Sequence, residues 1–313
     1  MAHVAGTREY LDNLVSLPRP GEENIFAFYD HRVGVFCKDP RMMLIPLDDH
    51  MIHRGDGVFE TVKYLGGRVY QLDAHLERME KNCKAIFMTP PLSWSRIREL
   101  VLETARVSEQ EDGYLSLFVG RGPGGFAIDY RECPWPSLYI VARRFNHLPE
   151  SMWEKGVRAC KSEHPAKPGF MARIKSVNYL PNVLMKKEAV DKACDFVFCF
   201  DQHGFLAEGC IENVVVVDQE GRILVPELNN ALPGTTLMRV LELIRDEVGF
   251  VFRPISEEEI YEAREVILLG TTLDAMSVVR YNGKPIHDVR PGPVSKRMRE
   301  LLVRDQEENG VKL

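Results

Sequence analysis

Short apolar segments separated by turn residues dominate much of the second half of the chain. Residues 196–226 contain the segments FVFCF, FLAEG, NVVVV and RILVP, and the connections DQHG and DQEG each end in glycine. Short runs of β-branched and aromatic residues bounded by Asp and Gly are typical of strands joined by tight turns. The pattern therefore predicts a β-sheet with two hairpins in this part of the chain.

Amphipathic helices accompany strands in both halves. The segment AHLERMEKNCKAIF has apolar residues at Leu76, Met79, Cys83 and Ile86, which is the spacing of one helix face. A second helix is predicted after Gly234, with Gly249 as its C-cap. Strand-like segments such as IFAFYD and GVFETVKYLGG fill the first half. This mixture predicts an α+β fold.

A polar, proline-containing segment near residue 150 predicts a linker between two domains. We expect an N-terminal arm at residues 1–25, a small α/β domain at 26–150, and a larger, β-rich α/β domain at 151–313. A chain of 313 residues is long enough for two cores of this size.

Charge and hydropathy exclude several classes of protein. The formal net charge is −6, whereas proteins that bind nucleic acids are usually basic. No apolar run approaches the roughly 20 residues that span a bilayer, so we expect no membrane partner. The first residues lack a basic segment followed by an apolar one, so we expect a cytoplasmic protein.

The cysteines favour no covalent framework. There are seven, an odd number, and no CxxC pair. We interpret Cys194, Cys199 and Cys210 as small residues on apolar strands, and we expect neither a disulfide framework nor a zinc site or other bound metal.

Two Gly-Thr-Thr triplets suggest a phosphate site. Gly234-Thr235-Thr236 precedes a predicted helix, and Gly270-Thr271-Thr272 follows a predicted strand. A helix N-terminus offers unpaired N–H groups, glycine permits close approach to the backbone, and threonine adds a hydroxyl donor. The alternative is an ordinary threonine cap. GxxxxGK[ST] and GxGxxG patterns are both absent, which disfavours a P-loop and a nicotinamide cofactor.

Lys175 and Glu208 are the candidate reactive residues. Lys175 lies between Ile174 and a Ser-Val pair, and an apolar pocket would favour the neutral amine that attacks an aldehyde. Glu208 ends a predicted strand, where a carboxylate could keep a pyridine nitrogen protonated. The alternatives are a solvent-facing lysine and an exposed turn glutamate, and Glu212 is the nearest rival to Glu208.

Seven segments in a fixed order resemble those of the fold-type IV pyridoxal-5'-phosphate (PLP) enzymes, a family of branched-chain aminotransferases, D-amino-acid transaminases and aminodeoxychorismate lyases. They are HRGDGVFETV, LDAHLERM, GRGPGGF, IKSVNYLPNVL, FLAEGCIENVVVV, LPGTT and EVILLGTT. KSVNYLPNVL followed by GFLAEG is most similar to the plant-type D-amino-acid transaminases that also act as aminodeoxychorismate lyases. The resemblance covers residues 26 to 300. It implies a homodimer with an active site in the cleft between a small and a large domain.

The resemblance also implies roles for individual residues. Lys175 matches the lysine that holds PLP as a Schiff base and moves the proton between Cα and C4'. Glu208 matches the partner of the pyridine nitrogen. Tyr179 resembles the tyrosine that hydrogen-bonds the phenolic oxygen of PLP. The phosphate ligands would be Arg78, Thr235, Thr236 and Thr271.

The substrate contacts depart from the family pattern. The resemblance implies that Phe59, Arg121 and Thr272 face the substrate. Bacterial D-amino-acid transaminases place an arginine and a histidine after an RG dipeptide, whereas Arg121-Gly122 is followed here by Phe126 and Ile128 at those offsets. Arg121 therefore has two interpretations, a contact for the substrate carboxylate or a structural charge.

Three functions follow from these observations. The first is an aminotransferase that moves an amino group from a branched-chain or D-type amino acid to a 2-oxo acid in a ping-pong cycle. The second is aminodeoxychorismate lyase, which uses the same lysine and releases pyruvate and 4-aminobenzoate. The third is a PLP-binding protein without catalytic activity.

Overall fold

The structure is a computed structural model that describes residues 3–313. It divides into two compact units, one that runs to Asn146 and includes Val311–Leu313, and one formed by His147–Gly310. Each unit is built around a sheet with helices, which confirms the expected α+β fold. In the part of the chain that is described, no helix is long and apolar enough to cross a bilayer.

The first unit has an antiparallel sheet. Its strands are β1 (Ile25–Asp30), β2 (Val35–Cys37), β3 (Gly57–Leu65), β4 (Arg68–Val69), β5 (Gly113–Gly120), β6 (Ser137–Arg143) and the C-terminal β16 (Val311–Lys312). They lie in the order β16-β4-β3-β5-β6-β1-β2. The helices are α1 (Thr7–Ser16), α2 (His50–His53), α3 (Leu72–Ala85) and α4 (Trp94–Val107). α3 packs on β3, and the predicted apolar face of α3 is buried at Leu76, Met79 and Cys83.

The second unit has a mixed sheet. Its strands are β7 (Val157–Lys161), β8 (Phe196–Phe200), β9 (Leu206–Gly209), β10 (Asn213–Val217), β11 (Ile223–Val225), β12 (Phe250–Phe252), β13 (Glu265–Gly270), β14 (Asp274–Tyr281) and β15 (Lys284–Pro285). The order is β12-β11-β10-β13-β14-β7-β8-β9, and β15 pairs with β14. The helices are α5 (Ser151–Lys155), α6 (Gly169–Ala172), α7 (Leu180–Asp191), α8 (Thr235–Ile244), α9 (Glu257–Tyr261) and α10 (Pro293–Asn309).

The two predicted hairpins are confirmed. β8 pairs antiparallel with β9, with Phe198 opposite Gly209, and β10 pairs antiparallel with β11, with Val216 opposite Leu224. β7 and β8 are parallel neighbours, so the chain needs a crossover connection between them. That crossover contains α6, α7 and the segment around Lys175, which is how the fold delivers this segment to one end of the sheet.

The run NVVVV is explained by burial on both faces. Every residue of β10 is buried. Val214 and Val216 belong to one apolar core together with Leu268 of β13, while α8 packs against β13 and α10 against β13 and β14. A strand covered on both faces has no solvent-facing position, so its sequence is a continuous apolar run.

The prediction of Gly249 as the C-cap of α8 is wrong. α8 ends at Ile244, and the amides of Glu247 and Val248 both donate to the Ile244 carbonyl in a turn. The helical face is buried only as far as Ile244, because residues 245–247 are exposed and bring no apolar side chain to the core.

The expectation of no disulfide is also corrected. Cys160 of β7 and Cys194, in the turn before β8, form a disulfide with Cα atoms 6.2 Å apart. Cys194 precedes β8 and Cys210 follows β9, so neither lies on an apolar strand as predicted, whereas Cys199 is a buried thiol of β8. The sequence shows no such pairing because it depends on the parallel alignment of β7 and β8, which brings together two cysteines 34 residues apart.

Candidate active site

Lys175 lies in the loop between α6 and α7. Its neighbours Ile174 and Ser176 are buried and anchor the loop, while Lys175 itself is half-buried. The Nζ of Lys175 donates a hydrogen bond of 2.9 Å to the phenolic oxygen of Tyr179, the N-cap residue of α7. The amine of Lys175 is therefore held by a phenol from its own segment.

Glu208 lies on β9 in a small cavity, which we call the Glu208 cavity. Its lining includes Ile174, Tyr179, Asn182, Glu208 and Leu232. The amide of Leu232 donates a hydrogen bond of 3.0 Å to Oε2 of Glu208. Burial raises the pKa of Glu208 to about 7, against the opposing effects of the Leu232 amide and of nearby lysines. A carboxylate near its titration point in an apolar cavity responds strongly to any cation placed beside it.

Glu212 is not among the residues that line this cavity. Its side chain is buried, and its Oε2 accepts a hydrogen bond of 3.0 Å from the amide of Ile211. Burial raises its pKa as well. Since Glu208 and not Glu212 is among the lining residues, the geometry favours Glu208 as the carboxylate for a bound ring.

The first Gly-Thr-Thr triplet forms the N-terminus of α8. Gly234 is the N-cap, and Thr235 and Thr236 are buried in the first turn. A Cβ at Gly234 would lie 1.9 Å from Oδ1 of Asn213, whose Nδ2 donates to the Leu232 carbonyl at 2.8 Å. Only glycine lets this loop pack so closely on β10, and the first amides of the helix that begins here have no partner within the helix.

The second triplet flanks the same end of β10. Gly270 ends β13, and Thr271 and Thr272 form the half-buried turn before β14. Leu269 is directly opposite Asn213 in the β10–β13 register, and Asn213 is the residue that Gly234 packs against. The fold therefore brings both triplets to one end of the sheet, as a phosphate site with two threonine-bearing turns requires.

Lys167 is a further residue of the Glu208 cavity, which the sequence interpretation missed. It lines the Glu208 cavity, and its Nζ lies 4.7 Å from the centroid of the Tyr179 ring. Burial lowers its pKa, and Glu208 opposes that change. The signal in the sequence is faint, a lysine between Pro165 and Pro168 in a stretch without periodicity.

Arg78 belongs to the first unit, where it forms a buried ion pair. Its Nε and one terminal nitrogen each lie 2.7 Å from the carboxylate oxygens of Glu60, which is fully buried, and His75 binds the same carboxylate at 2.7 Å. Burial raises the pKa of Glu60, but Arg78 and His75 outweigh it and lower the pKa to about 2. Arg78 thus stabilises a charge on β3, and its expected phosphate contact stays a prediction.

The two other candidates of the first unit are Phe59, which lies on β3, and Arg121, which directly follows β5. Phe59 stacks on Phe118 with ring centroids 6.0 Å apart. Arg121 donates to both carboxylate oxygens of Asp56, at 2.9 and 3.0 Å, and to two main-chain carbonyls at 2.9 Å each. With these donors occupied, Arg121 fits the structural interpretation better than a contact for the substrate carboxylate.

A family model and a curated relative both match most of the chain. Residues 57–281 match the family model of amino-transferase class IV. The chain is 33% identical over 292 residues to the chloroplastic D-amino-acid transaminase of Arabidopsis thaliana. The aligned region covers 91% of this chain and 78% of that protein.

Two solved structures share the fold. The T.th. branched-chain amino acid aminotransferase with pyridoxamine 5'-phosphate has a TM-score of 0.84 at 23% identity, over 90% of this chain and 93% of that chain. The 4-amino-4-deoxychorismate lyase from Pseudomonas aeruginosa has a TM-score of 0.75 at 25% identity, over 84% of this chain and 95% of that chain.

Proposed function

This chain belongs to the class IV aminotransferase family and is an aminotransferase of fold type IV, and we propose that it uses PLP held by Lys175 to move an amino group from an amino acid to a 2-oxo acid. The family membership implies PLP and implies amino and 2-oxo acids as substrates. One observation supports these residues as the site. Lys175 donates a hydrogen bond to Tyr179, and Tyr179 lines the same cavity as Glu208.

The residues present fit PLP. The cofactor has an aldehyde, a phenolic oxygen, a pyridine nitrogen and a phosphate, and the unit offers an amine, a phenol, a carboxylate and two Gly-Thr-Thr turns. Lys175 and Tyr179 are within hydrogen-bond distance of each other, so they suit the adjacent aldehyde and phenolic oxygen of one ring. Glu208, with its pKa raised to about 7, suits a partner that carries a positive charge.

PLP, when bound, supplies an electron sink that makes the Cα–H bond of an amino acid acidic. In our proposal the Nζ of Lys175 would attach the cofactor, and as the free amine it would accept the proton from Cα of the amino acid and give it back in the second half of the cycle. The phenol of Tyr179 would orient that nitrogen, and the Glu208 carboxylate would be the partner of the pyridine nitrogen. The amides and hydroxyls at Thr235, Thr236 and Thr271 would hold the phosphate.

The amino donor is proposed from the relatives. The chain is similar both to a D-amino-acid transaminase and to a branched-chain enzyme, so we propose a donor of the D- or branched-chain type. The test is a panel of D- and L-amino acids added to the holoenzyme, with loss of the imine absorbance as the readout. Donors that bleach the band, followed by its return on addition of a 2-oxo acid, complete both halves of the cycle. No bleaching by any member of the panel would contradict the proposal.

A second candidate function is aminodeoxychorismate lyase, which the fold similarity to the Pseudomonas aeruginosa lyase favours. It would use the same Lys175 and release pyruvate. The two activities separate in one assay. Formation of 4-aminobenzoate from aminodeoxychorismate without a 2-oxo acid supports the lyase, whereas amine transfer that depends on the acceptor supports the aminotransferase.

The attachment site is tested by borohydride reduction of the wild-type holoenzyme and peptide mapping. We expect the reduced adduct on the peptide that contains Lys175. Because Lys167 lies near the same tyrosine ring, an adduct on the Lys167 peptide would overturn the assignment. We also propose the homodimer expected from the family, which light scattering of the holoenzyme tests directly.

A further inference from the structure

Two lysines approach the ring of Tyr179. The Nζ of Lys167 lies 4.7 Å from the ring centroid, and that of Lys175 lies 5.3 Å from it. The two nitrogens are therefore no more than about 10 Å apart, a distance at which charges inside a protein still interact. The charge on Lys167 must affect any proton held at Lys175.

Lys167 differs from an ordinary surface lysine. Among residues 3–313 its ammonium has no hydrogen bond or ion pair, and it lines the Glu208 cavity with its charge acting on Glu208. On Glu208 the effect of Lys167 exceeds that of Lys175. A cation without a paired anion of its own exerts its field on the polar groups around it.

The groups around Lys167 come from several elements. Glu208 lies on β9, Tyr179 and Lys175 on the loop before α7, Cys199 on β8, and Cys210 after β9. Both thiols have their pKa raised by burial to about 12, so they stay neutral. Two further charges act on these residues: Glu212 acts on Glu208, and Lys186 acts on Cys210. Glu208 and the imine at Lys175 are thus the proton-carrying partners that Lys167 influences.

We propose that Lys167 is a positioning residue of this site, whose cation keeps Glu208 ionised for the pyridine nitrogen and favours the unprotonated form of the imine at Lys175. This rests on the proposed function, since it needs PLP bound at Lys175. In this role Lys167 touches neither the substrate nor the reacting atoms. It acts through Glu208 and through the ring of Tyr179.

The test is a spectroscopic titration of the imine in the holoenzyme, which does not require turnover. Removing a positive charge makes it easier to hold a proton nearby, so Lys167→Met and Lys167→Gln should raise the imine pKa by about 0.5–1 unit. Lys167→Arg keeps the charge and should titrate within about 0.2 units of wild type. The matched control is Lys187→Met, an exposed lysine of α7 that pairs with Asp191.

The imine titration has several outcomes that would contradict the proposed role of Lys167. Equal imine pKa values in wild type and both neutral variants would overturn the proposal. So would a shift in Lys167→Arg as large as in Lys167→Met, or an equal shift in Lys187→Met. If both neutral variants fail to fold or to hold PLP while Lys167→Arg does not, Lys167 is structural and the proposal is also overturned. Absence of an imine band in the wild type would instead contradict the proposed function.

Discussion

The Nζ of Lys175 donates a 2.9 Å hydrogen bond to the phenolic oxygen of Tyr179, four residues further along the same loop. The amine and the phenol are therefore positioned by one short segment, anchored at Ile174 and at the start of α7. Glu208 arrives from β9, a different element, so its distance from the amine depends on how the crossover packs on the sheet.

Lys175→Met should abolish amino transfer while leaving the fold intact. The substitution removes both the attachment of the cofactor and the base at Cα, and loss of acid–base catalysis alone costs about 10²–10⁴-fold. The measurement is kcat with the best donor of the amino acid panel. Lys187→Met, on the exposed side of α7, should retain wild-type kcat. Turnover by Lys175→Met within tenfold of wild type would contradict the assignment.

Tyr179→Phe should weaken catalysis without removing it. The ring that Lys167 approaches is retained, and only the hydroxyl that accepts from Lys175 is lost. A hydrogen bond to a charged group is worth about 1.5–3 kcal/mol, so kcat/KM should fall roughly 10–100-fold. The control is Tyr10→Phe in α1, an exposed tyrosine. An unchanged kcat/KM would show that the hydroxyl does not orient the amine.

Glu208→Gln should flatten the pH dependence of the apoprotein's stability. The pKa of Glu208 is raised from 4.5 to about 7, so the folded chain binds more protons than the unfolded chain between these values. The free energy of unfolding therefore falls as pH rises from about 4.5 to about 7, by up to about 3 kcal/mol.

Urea unfolding of the two apoproteins at pH 4.5 and pH 7.5 measures this difference. The stability lost by wild type between these pH values should be larger than that lost by Glu208→Gln. Glu262→Gln, an exposed residue at the end of α9, should behave like wild type. Parallel pH profiles for wild type and Glu208→Gln would contradict the raised pKa.

Arg78→Ala should destabilise the protein strongly, whatever its contact with phosphate. It removes two hydrogen bonds from the fully buried Glu60 and leaves His75 to balance the charge of that carboxylate. Breaking a buried pair in this way costs about 3–5 kcal/mol, which denaturant unfolding of the apoprotein would detect. The control is Arg98→Ala, whose partner Asp73 is exposed and whose loss should cost less than about 1 kcal/mol. Equal losses in both variants would show that the Glu60 pair is not held as described.

Reduction of the Cys160–Cys194 disulfide should lower the stability of the second unit. The two cysteines are 34 residues apart, and closing a loop of that length stabilises the folded state by roughly 3–4 kcal/mol. Thiol alkylation without reductant should label Cys37, Cys83, Cys133, Cys199 and Cys210 once the protein is unfolded. Labelling of all seven cysteines would show that the bond does not form under the conditions used.

Local sequence accounts for the features that depend on neighbouring residues. The hairpins around DQHG and DQEG, the apolar face of α3, and the turn chemistry of the two Gly-Thr-Thr triplets all follow from short-range backbone preferences and side-chain spacing. The predictions for Lys175 and Glu208 rest on the segments around them, since each residue alone would be an ordinary lysine or glutamate.

Features that join distant segments depend on tertiary packing and could not be predicted from the chain alone. The parallel alignment of β7 and β8, the pairing of Cys160 with Cys194, and the ion pair of Arg78 with Glu60 have no local signature. Lys167 is the clearest case, because nothing beside it in the chain distinguishes it from a solvent-exposed lysine. The role that we propose for it depends on its position beside Tyr179 and Glu208, and that position is a property of the packed chain and not of the segment.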